Sequence, residues 1–139
     1  LVDDWGGQFC LKGVMSVADA RRTAKIGCTG VILSNHGCRQ LDGSRAPFDQ
    51  VADVVDAVGN KLDVLIDGGV HRGTHALKAL SLGAKAVGVG RYYLFPLAAA
   101  GQAGVERALD LMRSELERDM RLMGCNTISQ LSRANLAFR

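Results

Sequence analysis

Four short apolar runs punctuate the chain: Phe9-Cys10-Leu11, Val31-Ile32-Leu33, Val64-Leu65-Ile66 and Ala86-Val87-Gly88-Val89. Each is followed by a stretch in which apolar residues recur at helical spacing, which predicts a repeated strand-then-helix unit. Ser16, with Asp19 three residues on, is placed to cap a first helix that runs through Ala20 and Ala24 and stops at Gly27. Pro47 suits the first position of a second helix, which buries Val51, Val54, Val55 and Val58 and ends at Gly59. A third runs from Thr74 through Ala76, Leu77 and Leu80 to Gly83. Beyond the fourth run, Val105, Leu109, Met112, Leu116, Met120 and Met123 mark one face of a longer helix closed by Gly124. Those methionines read as core filler, not as a cofactor box.

Consecutive strand-helix units imply a parallel sheet with right-handed crossovers. An open doubly wound sheet and part of a closed (β/α)8 barrel both satisfy the pattern. A complete barrel takes about 250 residues, so on the second reading 139 residues with four units make about half of one, as a single domain over residues 1–139. Two open strand edges would then invite association.

Composition narrows the class. A net charge of +3, 5% aromatic residues and basic residues scattered along helical segments argue against nucleic-acid binding. Cys10, Cys28, Cys38 and Cys125 form no Cys-x-x-Cys pair, so no disulfide is expected and a reduced, cytoplasmic compartment is the simpler reading. No apolar run approaches the roughly 20 residues of a membrane helix, and the first residues carry no basic-then-apolar leader; this leaves room for a membrane-associated parent protein. The opening Leu1-Val2-Asp3-Asp4-Trp5 lacks an initiator methionine, as expected of a cut gene, a processed product or a cloned fragment.

The candidate chemistry lies just past the strands, where ligands sit in α/β proteins. Leu33-Ser34-Asn35-His36-Gly37-Cys38-Arg39-Gln40-Leu41-Asp42 follows the second run. It puts a possible base, His36, and a planar fork for a carboxylate, Arg39, on one loop. Asp42 and Arg45 read as braces for that loop. Ile66-Asp67-Gly68-Gly69-Val70-His71-Arg72-Gly73 and Gly88-Val89-Gly90-Arg91 are glycine-rich strand ends entering helices. Each alone could be a tight turn; in succession they could form one phosphate cradle with Arg91. Lys12 is either a snorkelling lysine at a strand end or a charge with a task, and Asp67 either a helix cap or an acceptor for ligand hydroxyls. His75, inside a helical segment, reads as a surface or interhelical residue. No His and Cys cluster has metal spacing, so no metal site is expected.

The order of Leu11-Lys12-Gly13, the Ser34–Asp42 run, Asp67-Gly68-Gly69 and Gly90-Arg91 resembles the FMN-dependent α-hydroxy acid dehydrogenase and oxidase family. Glycolate oxidase, lactate oxidase and dehydrogenase, and mandelate dehydrogenase belong there. The resemblance runs from about Phe9 to the Thr127–Leu131 segment. It implies a (β/α)8 TIM-barrel fold with FMN at its carboxyl-end face, this chain being about the last four β/α units plus carboxyl-terminal helices. By that resemblance His36 is the base that takes a proton from a small 2-hydroxy acid, by a hydride or a carbanion route, and Arg39 binds its carboxylate. Lys12 would lie near the flavin's N1 and C2 carbonyl, Ser34 against the flavin, Asp67 at the ribityl hydroxyls, and Gly68, Gly69, Gly90 and Arg91 at the phosphate.

Two positions depart from the family pattern. Cys38 stands where glycine or alanine usually follows the His-Gly pair, so the loop is expected to tolerate a larger side chain or to shift. His71 stands where an arginine usually supports the phosphate, which predicts weaker FMN affinity, with Arg72 as the candidate to compensate. Tyr92 and Tyr93 are expected to be packing residues. The family's amino-terminal half adds flavin contacts, a tyrosine and an aspartate that nothing in this chain replaces. Expected partners are therefore that half or a second copy in a homo-oligomer. The competing reading is a non-catalytic half-barrel that binds FMN or phosphate and self-associates; a different flavin or phosphate barrel is the third.

Overall fold

A computed structural model describes residues 1–137. After a one-turn helix α1 (Val2–Trp5), four βα units follow: β1 (Cys10–Val14) and α2 (Val17–Lys25), β2 (Gly30–Leu33) and α3 (Val51–Val58), β3 (Asp63–Ile66) and α4 (Gly73–Ser81), β4 (Ala86–Val87) and α5 (Arg91–Leu122). The strands pair in parallel in the order β1-β2-β3-β4, with Cys10 opposite Gly30, Gly30 opposite Asp63 and Leu65 opposite Ala86. Sequential order with a helix after every strand is what right-handed crossovers produce when the sheet curls toward a barrel.

The expected α2 forms as read. Ser16 Oγ accepts the Asp19 N–H at 3.0 Å, and the chain leaves the helix through Gly27 at φ 86°. The other helices differ in their ends. Pro47–Gln50 forms a 3-10 turn and the α-helix begins only at Val51, with Val55 half-buried rather than buried. The long helix begins at Arg91, well before Val105, and is broken at Ala100 and Gly101, where Gly101 adopts φ 59° and ψ −140°. Leu109, expected on its buried face, is 45% exposed, because only the far end of α5 packs on α4.

That packing is close. A Cβ on Gly73 would lie 2.5 Å from the Leu116 amide nitrogen and 2.6 Å from the Met112 carbonyl, so only glycine lets the two backbones approach this way.

Strand ends also differ from the sequence reading. β1 extends past Leu11 through Lys12 to Val14, with a register break at Gly13. β4 keeps only Ala86 and Val87; Gly88 still donates to the Ile66 carbonyl at 2.8 Å, and the chain then turns away. The core lies on one side of the sheet: Val31, Leu33, Val64 and Ile66, with Val51, Val54 and Val58 of α3, are all at most 1% exposed. Alternation sends Cys10, Lys12, Ile32, Leu65 and Ala86 to the other side, where none is fully buried. The helices cover one face of the sheet.

No helix among the described residues is long and apolar enough to cross a membrane.

Candidate active site

The carboxyl ends of all four strands open into one cavity of about 570 Å³. Lys12, His36, Arg39, Asp67, Gly68, Gly69, His71, Gly90 and Arg91 line it. Nine of the ten residues singled out in the sequence thus converge, and the tenth, Ser34, lies beneath them, 1% exposed.

Ser34 organises the floor. Its Oγ accepts from Lys12 Nζ at 2.7 Å and from the His36 N–H at 3.2 Å. Lys12 Nζ also meets Asp67 Oδ2 at 2.5 Å. Lys12 keeps 46% of its side chain exposed, so the pair adds little stability through charge. Its effect is positional: the ammonium is fixed on the cavity floor between the ends of β2 and β3. The snorkelling and helix-cap readings of Lys12 and Asp67 therefore give way to a direct pair.

The His36 loop is a tight turn in which three successive residues take positive φ: His36 at 55°, Gly37 at 66° and Cys38 at 59°. Each non-glycine residue there costs about 1–2 kcal/mol. Asn35 offsets this cost, since its Oδ1 accepts the Gly37 N–H at 3.0 Å and its Nδ2 donates to Cys38 Sγ at 3.2 Å. Cys38 is half-buried, directed toward Asn35 and Ser44, and absent from the cavity lining. The loop thus accommodates the larger side chain by turning it away from the site. Arg45 braces the far end by donating to the Asp49 carbonyl at 3.1 Å, whereas Asp42 accepts the neighbouring Gly43 N–H.

Gly13 was not among the candidates. At φ 94° it forms the β1 irregularity, and a Cβ there would lie 2.8 Å from His36 Cε1. The imidazole rests on a backbone that only glycine leaves bare. A bulge beside a site that re-aims a neighbouring side chain is a recurrent device, and the Lys12-Gly13 pair inside an apolar run was its sequence trace.

The opposite wall is the glycine cradle. Gly68 and Gly69 take φ of 94° and 75°, and the Cβ directions of Gly69 and Gly90 are open. Among the described residues, the backbone N–H groups of Gly69, Gly90 and Arg91 have no backbone partner. Arg91 Nη2 reaches across to the Gly37 carbonyl at 3.3 Å, joining this wall to the His36 loop. His71 faces the cavity with Tyr92 edge-on, ring centroids 6.3 Å apart. Tyr92 also ties the two parts of α5 by donating to the Ala108 carbonyl at 2.8 Å.

Arg72, the candidate to compensate for His71, is turned to Glu115 in this structure. Its guanidinium is bidentate on Glu115 of α5, with Nε 2.8 Å from Oε1, while Glu115 Oε2 accepts the Gly73 N–H at 2.6 Å. The Arg72 side chain, with the Gly73 amide, holds the Glu115 carboxyl below the usual carboxylate range.

The charge balance favours an anion: Lys12, Arg39 and Arg91 line the cavity against the single carboxylate of Asp67. Unpartnered glycine N–H groups beside an arginine suit phosphate oxygens, and the Lys12–Ser34–Asp67 floor offers donors and an acceptor to a polar ring edge or a hydroxylated chain. The residues present fit a flavin mononucleotide. Among the described residues no group of His, Cys, Asp and Glu is arranged to hold a metal ion, and the four cysteines are free.

Four sequential parallel βα units with their polar groups gathered at the strand carboxyl ends fit a segment of a (β/α)8 barrel. Residues 1–138 match the family model described as FMN-dependent dehydrogenase, and the chain belongs to that family. It is 45% identical over 135 residues to an L-lactate dehydrogenase of Caulobacter sp., covering 97% of this chain and 36% of that protein. It is 46% identical over 132 residues to a pre-mycofactocin synthase of Mycobacterium tuberculosis, covering 95% and 33%. Among solved structures, mandelate oxidase with benzoyl-formic acid superposes at a TM-score of 0.87 and 44% identity, over 91% of this chain and 38% of that one. The chain thus spans about a third of the length of these relatives.

Proposed function

We propose that this chain supplies the substrate- and phosphate-binding part of an FMN-dependent enzyme that oxidises a small L-2-hydroxy acid to the 2-oxo acid. The observation that carries the reading is one cavity with His36, Arg39 and Lys12 on one side and the unpartnered glycine N–H groups with Arg91 on the other. A lactate dehydrogenase and a mandelate oxidase among the similar proteins support the substrate class.

Arg39 offers two parallel N–H donors to the substrate carboxylate, which fixes the carbon bearing the hydroxyl and lowers the entropic part of the barrier. His36 accepts the proton that leaves the substrate, its ring held by Gly13 below and by the Asn35 turn behind. Lys12, fixed by Ser34 and Asp67, places positive charge where negative charge develops. FMN, when bound, supplies the two-electron acceptor. Gly68, Gly69, Gly90, Arg91 and His71 would hold its phosphate, and the free oxygen of Asp67 its ribityl hydroxyls. With Arg72 engaged by Glu115, His71 faces the phosphate without that help, and FMN affinity is lower than an arginine at position 71 would give.

A second reading draws on the uncovered sheet face: a non-catalytic half-barrel that binds FMN or phosphate and closes against a second copy or against the rest of its barrel. Unpaired thiols accord with a reducing, cytoplasmic setting.

The test is the visible spectrum of the purified chain titrated with FMN, followed by anaerobic lactate, glycolate or mandelate. Saturable binding with bleaching supports the enzyme reading. Binding without bleaching favours the second, and no binding removes FMN from the isolated chain.

A further inference from the structure

His75 is not part of the cavity lining, yet it holds the cradle's turn. It lies half-buried in the first turn of α4, and its ring turns back toward the glycine loop instead of outward or toward another helix. Its Nδ1 lies 3.3 Å from the His71 N–H and 3.2 Å from the Gly69 carbonyl. With the ring proton on Nε2, Nδ1 accepts from His71; with a proton on Nδ1, it donates to Gly69. Each form ties one end of the Gly69-Val70-His71 turn to α4, the His71 end in the first and the Gly69 end in the second. Between those ends Val70 is 4% exposed, so the turn is anchored in the core by Val70 and from the helix by His75.

We propose that His75 is a positioning residue for the anion cradle, setting the backbone of Gly69 and the direction of His71 toward a bound phosphate group. Gly69 has positive φ and no contact beyond its own backbone on its Cβ side, so local sterics do not fix this turn. A loop rich in glycine loses more freedom on binding unless something holds it beforehand. His75 provides that hold without touching the ligand. The inference rests on reading the cavity as a phosphate cradle.

The test compares the chain with His75→Asn and His75→Leu. Asparagine puts an acceptor and a donor near the position of Nδ1; leucine removes both and keeps bulk. Flavin fluorescence on titration with FMN should give about tenfold weaker binding for His75→Leu and binding within about twofold of the parent for His75→Asn. Melting temperatures should stay close, and the His71 amide resonance in a nitrogen-15 spectrum should move in His75→Leu far more than in His75→Asn. If His75→Leu loses its fold, His75→Ala takes its place in the same comparison. Equal FMN affinity in the parent and the leucine variant would overturn the inference while leaving the FMN reading intact. If the parent takes no FMN, the FMN reading fails, and inorganic phosphate followed at the His71 amide decides the inference. A phosphate-dependent shift in parent and His75→Asn but not in His75→Leu supports it; the same response in all three, or none in the parent, overturns it.

Discussion

On one face of the sheet Val31, Leu33, Val64 and Ile66 are at most 1% exposed under the helices; on the other, Cys10, Lys12 and Ala86 are exposed and Ile32 and Leu65 half-buried. The same strands supply both sets, one residue out of phase. The helix-covered face holds the fold together through dry apolar packing. The uncovered face contributes little packing within this chain, and its upper rim carries Lys12, Ser34 and Asp67 of the candidate site. The apolar core and the candidate site are thus separated across the thickness of one sheet.

The largest expected effect tests the rim. His36→Ala in a complete parent enzyme should lower kcat by about 10²–10⁴-fold while flavin absorbance shows FMN still bound; normal turnover would remove the base assignment. The next contrast sets the faces against each other directly. Ile66→Ala should cost about 2–5 kcal/mol in urea unfolding of the chain, and Leu65→Ala, one residue before it, less than about 1 kcal/mol. Equal losses would mean that the open face is covered in solution.

Gly13→Ala places a Cβ against His36 at a residue with φ 94°. It should cost about 1–2 kcal/mol from backbone strain and shift the His36 ring resonances, whereas Gly43→Ala, also at positive φ but with open space around it, should leave them in place.

A smaller effect follows acidification. Glu115 has its folded-state pKa lowered by Arg72, so the stabilisation it brings to the helix layer is complete above the ordinary glutamate range near 4.3 and is lost as pH falls through the lower folded value. The melting-temperature difference between the chain and Glu115→Gln should therefore be widest near neutrality and close in acid. The smallest signal comes from Cys10 on the open face, whose thiol is pushed up first by burial and then by Cys28 and Asp63. It should alkylate more slowly than a free cysteine at pH 8, and slower still at high protein concentration if copies cover that face. A rate independent of concentration would argue against self-association there.

Much of this was legible in the chain because the physics behind it is local. Period-2 and period-3.6 apolar spacing, the Ser16 cap and the stop at Gly27 depend on neighbours within a turn, and they gave four βα units in the right order. The site residues were readable because the strand ends that carry them are marked by the same pattern. The early start of α5 at Arg91 was hidden because Pro96 and the Ala100–Gly101 break interrupt its periodicity. The short β4 depends on how far its partner Ile66 extends, which no window around residues 86–89 contains.

By itself, then, the sequence determined the alternation of strands and helices and the residue types at the strand ends, since both follow from side-chain periodicity and backbone preference. Only the tertiary structure decided which sheet face is covered, that Gly13 supports His36 and that Lys12 is held between Ser34 and Asp67. It also decided that Arg72 is committed to Glu115 and that His75 reaches back to the glycine turn. Apart from the His75 contact, formed only when α4 and its preceding loop are packed, these pairings join residues far apart in the chain, and long-range packing, not local propensity, selects them.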